Sequence, residues 1–218
     1  MARESSTPQV PVESSRDQES VGEVLITRTL VTGFGPFPGV EVNPSGVLAR
    51  SVDRSHEIID VSYRSARYFL DRLDPTQFDR LLLLGVASGS TKCRIELFAR
   101  NLIGTTPDIH GEAPGPREIY PDAPRVLGGT LWDGTKLLKP GHLTDHPHLM
   151  HSFSAGTYLC NFVYYEALMR FRDKKVGFIH VPLETDMPIE DQLAAIREVI
   201  EHIEAEPEAK PTPPSAVS

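Results

Sequence analysis

Residues 81–84 of this chain are four consecutive leucines, set in the run Arg80–Gly85. Side chains alternate along a strand, so a strand with one wet face would send every second leucine into water. An unbroken apolar run therefore marks a strand covered on both faces, as in parallel sheets with helices on either side. The rest of the sequence supplies matching pieces. Val24–Thr32 reads as a β-rich strand ending at Gly33, Ile58–Tyr63 as a second strand, Cys93–Asn101 as another and Lys175–His180 as the last. Helix patterns stand between them. One opens at Asn43-Pro44-Ser45, with Asn43 as N-cap and Pro44 at the first position. Ala66–Leu73 follows, and then Gly156–Phe171, where Tyr158, Phe162, Tyr165 and Met169 form one stripe and Leu159, Val163 and Ala167 an adjacent one. Pro188–Glu204 carries Ile189, Leu193, Ile196, Ile200 and Ile203 at four-three spacing, with Asp186 as the expected cap. Strands alternating with helices predict an α/β fold, a three-layer α/β/α sandwich with a mostly parallel mixed central sheet.

The alternation occupies residues 23–205, which read as a single domain. Residues 1–22 are rich in Ser, Glu, Pro and Gln, and 206–218 in Pro, Glu and Ala; both are expected to be disordered tails. Leu102–Gly129 reads as a long Pro- and Gly-rich loop, a length that usually serves function. The formal net charge of −8 argues against nucleic acid and anionic membrane as partners. No apolar run approaches the roughly 18–20 residues of a membrane span, and the N-terminal residues hold no apolar signal region. The two cysteines, Cys93 and Cys160, are expected as free thiols, and the expected location is cytoplasmic.

Several segments carry candidate chemistry. Gly33-Phe34-Gly35 after a strand suggests a dinucleotide loop, but Pro36 removes a needed donor and Gly39 comes one residue late for the fingerprint. A tight strand-to-helix loop is the better reading, though Phe34 and Phe37 in such a loop need something to cover. His142, Asp145, His146, His148 and His151 form a dense cluster of metal-ligand types. Their spacing fits no closed tetrahedral motif, so a solvated surface loop is expected and no metal site. Cys93 reads as a buried, inert thiol. Cys160 would read the same way but for its place near a helix start, where free amides favour a thiolate and an oxyanion. A nucleophilic cysteine needs a base and a group to orient it. His180 ends a strand, where α/β sheets place ligands, yet a lone histidine there is more often structural than catalytic. Glu96, flanked by apolar residues, is of a kind commonly just exposed; composition alone does not make a trio of them.

Three separate segments together resemble the pyroglutamyl-peptidase I family of cysteine peptidases. Leu30-Val31-Thr32-Gly33-Phe34-Gly35-Pro36-Phe37 with Asn43-Pro44-Ser45 looks like its N-terminal signature. Gly85-Val86-Ala87-Ser88-Gly89 running to Arg94-Ile95-Glu96 is similar to its glutamate segment. Ser154–Asn161, then Phe178-Ile179-His180-Val181-Pro182, is close to its cysteine and histidine segments. The resemblance spans about Val24 to Ile203. It implies a catalytic Glu96–Cys160–His180 triad, hydrolysis of an N-terminal pyroglutamyl residue from peptides through a thioester, and no metal or organic cofactor. It also implies substrate binding by Phe34, Phe37, Asn43 and Val86, with the rings walling the flat lactam and Asn43 bracing the loop. Pyroglutamyl-terminated peptides are then the expected partners, and a homo-oligomer is open because members differ in this respect. The chain departs from bacterial members, which usually carry an arginine where Ser90 stands and another near Thr105 or Thr106; animal members lack both. Two other readings keep part of the pattern: a cysteine amidase on another small acyl or lactam group, and a non-catalytic relative that retains the lactam pocket.

Overall fold

The computed structural model describes residues 28–132 and 146–205. The expected tails, 1–22 and 206–218, lie outside them, as do His142 and Asp145. Strands β1 (Thr29–Phe34), β2 (Ser55–Ile59), β3 (Arg80–Val86), β4 (Cys93–Glu96), β7 (Leu149–Ser152) and β8 (Lys175–Val181) form a six-stranded sheet in the order β2-β1-β3-β8-β4-β7. All neighbours are parallel except β4 and β8. Strands β5 (Phe98–Arg100) and β6 (Val126–Gly128) pair separately as an antiparallel ribbon.

The four leucines divide between two layers. Leu81 and Leu83 point to one face, where α2 (Tyr63–Arg72) and α3 (Leu159–Arg170) pack. Leu82 and Leu84 point to the other, against α1 (Pro44–Ser51) and α4 (Ile189–Ala205). All four are fully buried, and each contributes about 1.5–3 kcal/mol by leaving water. This is the expected α/β/α sandwich. Among the described residues no helix is long and apolar enough to cross a membrane.

Local readings differ from the structure at informative places. The first strand continues through Gly33 to Phe34, because α1 packs so closely on its end that a Cβ on Gly33 would lie 2.2 Å from the Ser45 carbonyl oxygen. The second strand ends at Ile59, and Tyr63 opens a helix instead, since Ser62 caps it by accepting the Ser65 N–H at 3.0 Å. Cys93–Asn101 is not one strand: the chain leaves the main sheet after Glu96 and enters the ribbon. The long loop contains β6 and is organised by two buried side chains. Asn101 accepts the Ile119 and Tyr120 amides and donates to the Tyr120 and Ala123 carbonyls; Asp108 accepts amides from Tyr63, His110 and Glu112. Asp186 does not cap α4. Its carboxylate accepts the Gly89 N–H at 3.2 Å, tying the turn after β3 to the loop after β8.

Candidate active site

Parallel strands bring their C-terminal ends to one edge of the sheet, the usual place for ligands in open α/β folds. Phe34, Val86 and His180 all stand at or next to such ends, on β1, β3 and β8. Alternation along β8 turns Val176, Phe178 and His180 toward the α2–α3 layer and Ile179 and Val181 toward the other. On antiparallel β4, Glu96 lies opposite Phe178 and Arg94 opposite His180. Glu96 is therefore a diagonal neighbour of His180 on the same face, within reach of the ring.

The contact is made. His180 Nδ1 is 2.8 Å from Glu96 Oε1, with the two residues 7% and 1% exposed. The Glu96 backbone carbonyl accepts from Trp132 Nε1 at 3.1 Å and Tyr164 Oη at 3.0 Å, which fixes where its side chain starts. The His180 ring also packs on Phe178, with centroids 4.8 Å apart. With Nδ1 engaged by a carboxylate, Nε2 is not committed to that bond, and Cys160 lies near enough to act on the ring. Burial pushes the pKa of His180 down, but attraction to Cys160 and the hydrogen bonds to Cys160 and Glu96 outweigh it, raising it from 6.5 to about 9.

Cys160 lies closer to its helix start than the sequence suggests. The helix begins at Leu159 rather than Gly156, which has a φ of 81° and belongs to the approach loop. Cys160 is thus the second helical residue. The N-cap, Tyr158, makes no side-chain capping bond, and the first intrahelical bond runs from the Phe162 amide to the Tyr158 carbonyl. The amides of Leu159, Cys160 and Asn161 precede that bond and so have no partner within the helix. Asn161 pins this end of α3 to the ribbon. Its Oδ1 accepts the Arg100 N–H at 2.7 Å, and its Nδ2 donates to the Arg100 and Leu102 carbonyls at 2.9 and 3.0 Å. Sequence reasoning did not single out Asn161; the signal was a polar residue on an otherwise apolar helix face.

A cavity of about 180 Å³ opens beside the thiol, lined by Phe34, Phe37, Asn43, Val86 and Cys160, and also by Val61, Ser88, Tyr158 and Leu159. The first five were expected, whereas the last four were not, since only tertiary contact brings them here. The volume is below the roughly 300–1,000 Å³ of pockets for drug-sized ligands and suits a small, largely apolar group. Asn43 braces the wall: Nδ2 donates to the Gly35 carbonyl at 2.8 Å, while Oδ1 accepts from the Ser45 amide and hydroxyl.

The remaining sequence candidates stay apart. Cys93 faces the opposite layer from Cys160, fully buried, and burial pushes its thiol up to about 12. Both cysteines are free. His146 meets Glu198 at 3.2 Å, and no group of three metal-ligating side chains forms among the described residues. Ser90, where the resemblance expects an arginine in bacterial members, accepts from Arg94 Nε at 3.0 Å and donates to the Lys92 carbonyl. Thr105 and Thr106 are exposed.

Similar architecture and sequence recur in known proteins. The pyrrolidone-carboxylate peptidase of Pyrococcus furiosus is 33% identical over 169 residues, covering 71% of this chain and 80% of its own length. That of Thermococcus onnurineus is 34% identical over 168 residues, 71% and 83% of the two chains. The crystal structure of pyrrolidone carboxyl peptidase from Thermus thermophilus superposes with a TM-score of 0.69 at 30% identity, over 80% of this chain and 99% of that one. The sequence profile described as pyroglutamyl peptidase matches residues 27–204. The chain therefore belongs to the pyroglutamyl peptidase family, cysteine peptidases that hydrolyse an N-terminal pyroglutamyl bond.

Proposed function

We propose that Cys160, His180 and Glu96 perform that hydrolysis in this chain, with the lactam held in the cavity walled by Phe34, Phe37, Asn43 and Val86. The observation that carries the reading is the Glu96–His180 hydrogen bond with Cys160 near enough to raise the pKa of the ring, beside a small apolar cavity that Cys160 lines. Cys160 Sγ, its proton held by His180, attacks the pyroglutamyl carbonyl carbon. The resulting oxyanion meets the unpaired amides at the start of α3. The C–N bond then breaks, and the leaving amine takes the proton from His180, giving a thioester and a shortened peptide. Water attacks the thioester, returning a proton to His180, and pyroglutamate leaves. Glu96 keeps Nδ1 as a donor, so Nε2 is the nitrogen that moves the proton.

The cavity also accounts for selectivity. A neutral lactam has two faces for the phenylalanine rings, whereas a free α-ammonium would lose its hydration without gaining a partner. A thiol nucleophile needs a reducing compartment, and the cytoplasm supplies one.

The test is release of arylamine from a pyroglutamyl arylamide by the reduced protein, beside Cys160→Ala and His180→Ala. Both variants should lose about 10³-fold or more of kcat. Turnover by Cys160→Ala at the wild-type rate would sink the assignment. Activity on other N-acyl arylamides but not the pyroglutamyl one would select the broader amidase.

A further inference from the structure

A second cavity, of about 350 Å³, has a wall in contact with the wall of the thiol pocket. The two share an aromatic partition: Tyr63, which lines the second cavity, meets Tyr158, which lines the first, edge to face at 6.1 Å. Phe162, also a wall of the second cavity, follows Cys160 by two positions on α3 and packs against Tyr63 at 5.3 Å. The Tyr158 hydroxyl donates to the Pro107 carbonyl, so the loop that carries Glu112 and Arg117 is fastened to the same partition.

The chemistry of this cavity differs from that of its neighbour. Arg64, Arg67 and Arg117 line it, in a chain whose net charge is −8. Arg67 lies over the Phe162 ring at 5.3 Å with its Nε 3.8 Å from Glu166; Arg117 is oriented by a bond to the Pro114 carbonyl. Among the described residues, Arg64 has no hydrogen bond or ion pair. Arg170 offsets Asp71 and also bonds Glu166. The lining side chains themselves set three guanidinium groups, Arg64, Arg67 and Arg117, against the carboxylates of Asp71 and Glu112, an excess of one positive charge that suits a monoanion better than a dianion. The Tyr63 hydroxyl is buried and without a hydrogen-bond partner, although Tyr63 is only 3% exposed. Leaving such a donor unpaired costs about 1–3 kcal/mol, which an acceptor on a ligand would recover. Burial, with Tyr158 and Asp108 nearby, pushes this phenol up to about 12, so it stays protonated and able to donate.

We propose that this cavity binds the C-terminal carboxylate of a short leaving peptide, so that the protein favours pyroglutamyl peptides two or three residues longer than the lactam. The inference rests on the assignment of Cys160 as nucleophile. A leaving peptide of two or three residues spans about 7–11 Å when extended, longer than the 6.1 Å between the Tyr63 and Tyr158 rings of the partition. Its far end is a planar monoanion, the shape that a guanidinium fork grips in bidentate fashion.

The experiment compares pyroglutamyl-alanyl-alanine with its C-terminal amide. Wild type should show about fivefold higher kcat/KM for the acid, through KM, as expected for one partly solvated carboxylate–guanidinium contact. The double variant Arg64→Gln/Arg117→Gln should erase the difference while turning over a pyroglutamyl arylamide at the wild-type rate. Tyr63→Phe should reduce the preference for the acid. Calorimetric titration of both peptides onto Cys160→Ala reads the cavity without turnover, and the acid should again bind about fivefold tighter. Absence of arylamide turnover by wild type, or its retention by Cys160→Ala, with this binding preference intact would overturn the catalytic assignment alone. Equal affinity for acid and amide, or an equal loss for both in the arginine variants, overturns the cavity proposal.

Discussion

The Cys160 sulfur occupies the space that a side chain on Gly85 would need: a Cβ built on Gly85 would stand 2.9 Å from Sγ and 2.8 Å from Cζ of Phe178. Gly85 is the register partner of His180 on the neighbouring strand, so the absence of one methyl group lets the thiol settle beside the imidazole. Gly85→Ala must move either the sulfur or the Phe178 ring on which His180 packs. The expected result is at least a tenfold loss of kcat with an overpacking cost of about 1–3 kcal/mol. Urea denaturation measures the second and the arylamide assay the first. Unchanged kcat in a folded Gly85→Ala protein would remove the steric argument.

Glu96 is a buried acid whose Oε1 meets His180 and whose Oε2 has no hydrogen-bond partner. Glu96→Gln retains shape and can still accept the Nδ1–H, but it removes the charge that stabilises the imidazolium. It should therefore lower kcat by about 10²–10⁴ and shift the alkaline limb of the rate profile to lower pH. A change in KM alone would point to a structural role for Glu96.

Much of this was legible because some signals are local. Four leucines specify a two-faced strand, and Asn43-Pro44 specifies a helix start, wherever the chain goes next. The triad segments were recognisable as a resemblance, but its geometry was not written locally: Glu96 reaches His180 only because β4 runs antiparallel to β8, and strand direction is a tertiary choice. The partners of the thiol pocket show the same limit. Val61, Ser88 and Tyr158 come from three distant segments, and none is unusual in its own surroundings. The second strand was misplaced because Val61-Ser62-Tyr63 has strand composition, while the cap at Ser62 depends on a hydroxyl whose use is decided by its neighbours.

The raised pKa of His180 gives stability a sign. A group whose folded pKa, about 9, exceeds its ordinary 6.5 stabilises the fold fully below about pH 6.5 and loses that contribution as pH rises through 9. The thermal midpoint of wild type should fall across this window. Cys160→Ala removes the attraction that does most to raise the value, so its decline should begin at lower pH. A midpoint that is level from pH 6.5 to 9.5 in both proteins would contradict the coupling.

Asn43 acts through the loop rather than on the lactam, since its amide already bonds Gly35 and Ser45. Asn43→Ala should cost about 1 kcal/mol as a lost N-cap and release the wall that carries Phe37. KM for the arylamide should rise more than kcat falls. Guanidinium denaturation and steady-state kinetics separate the two effects, and Asn43→Asp, which keeps the cap but not the bond to the Gly35 carbonyl, should recover stability without recovering KM.

The two thiols give the most direct contrast. Cys93 is fully buried with its thiol pushed up to about 12, whereas Cys160 is partly exposed, at a helix start and close enough to His180 to raise the pKa of that ring. Alkylation requires both a thiolate and access, and Cys93 is denied both by its burial, whereas Cys160 is accessible. Iodoacetamide at neutral pH should therefore add one label to the native protein, at Cys160, with loss of activity in step with labelling. His180→Ala should slow that labelling at least about tenfold by removing the positive partner of the thiolate, while Cys93 should react only after unfolding. Peptide mapping of the labelled protein decides the matter, and label at Cys93 in the native state would mean that the opposite layer opens far more readily than its packing implies.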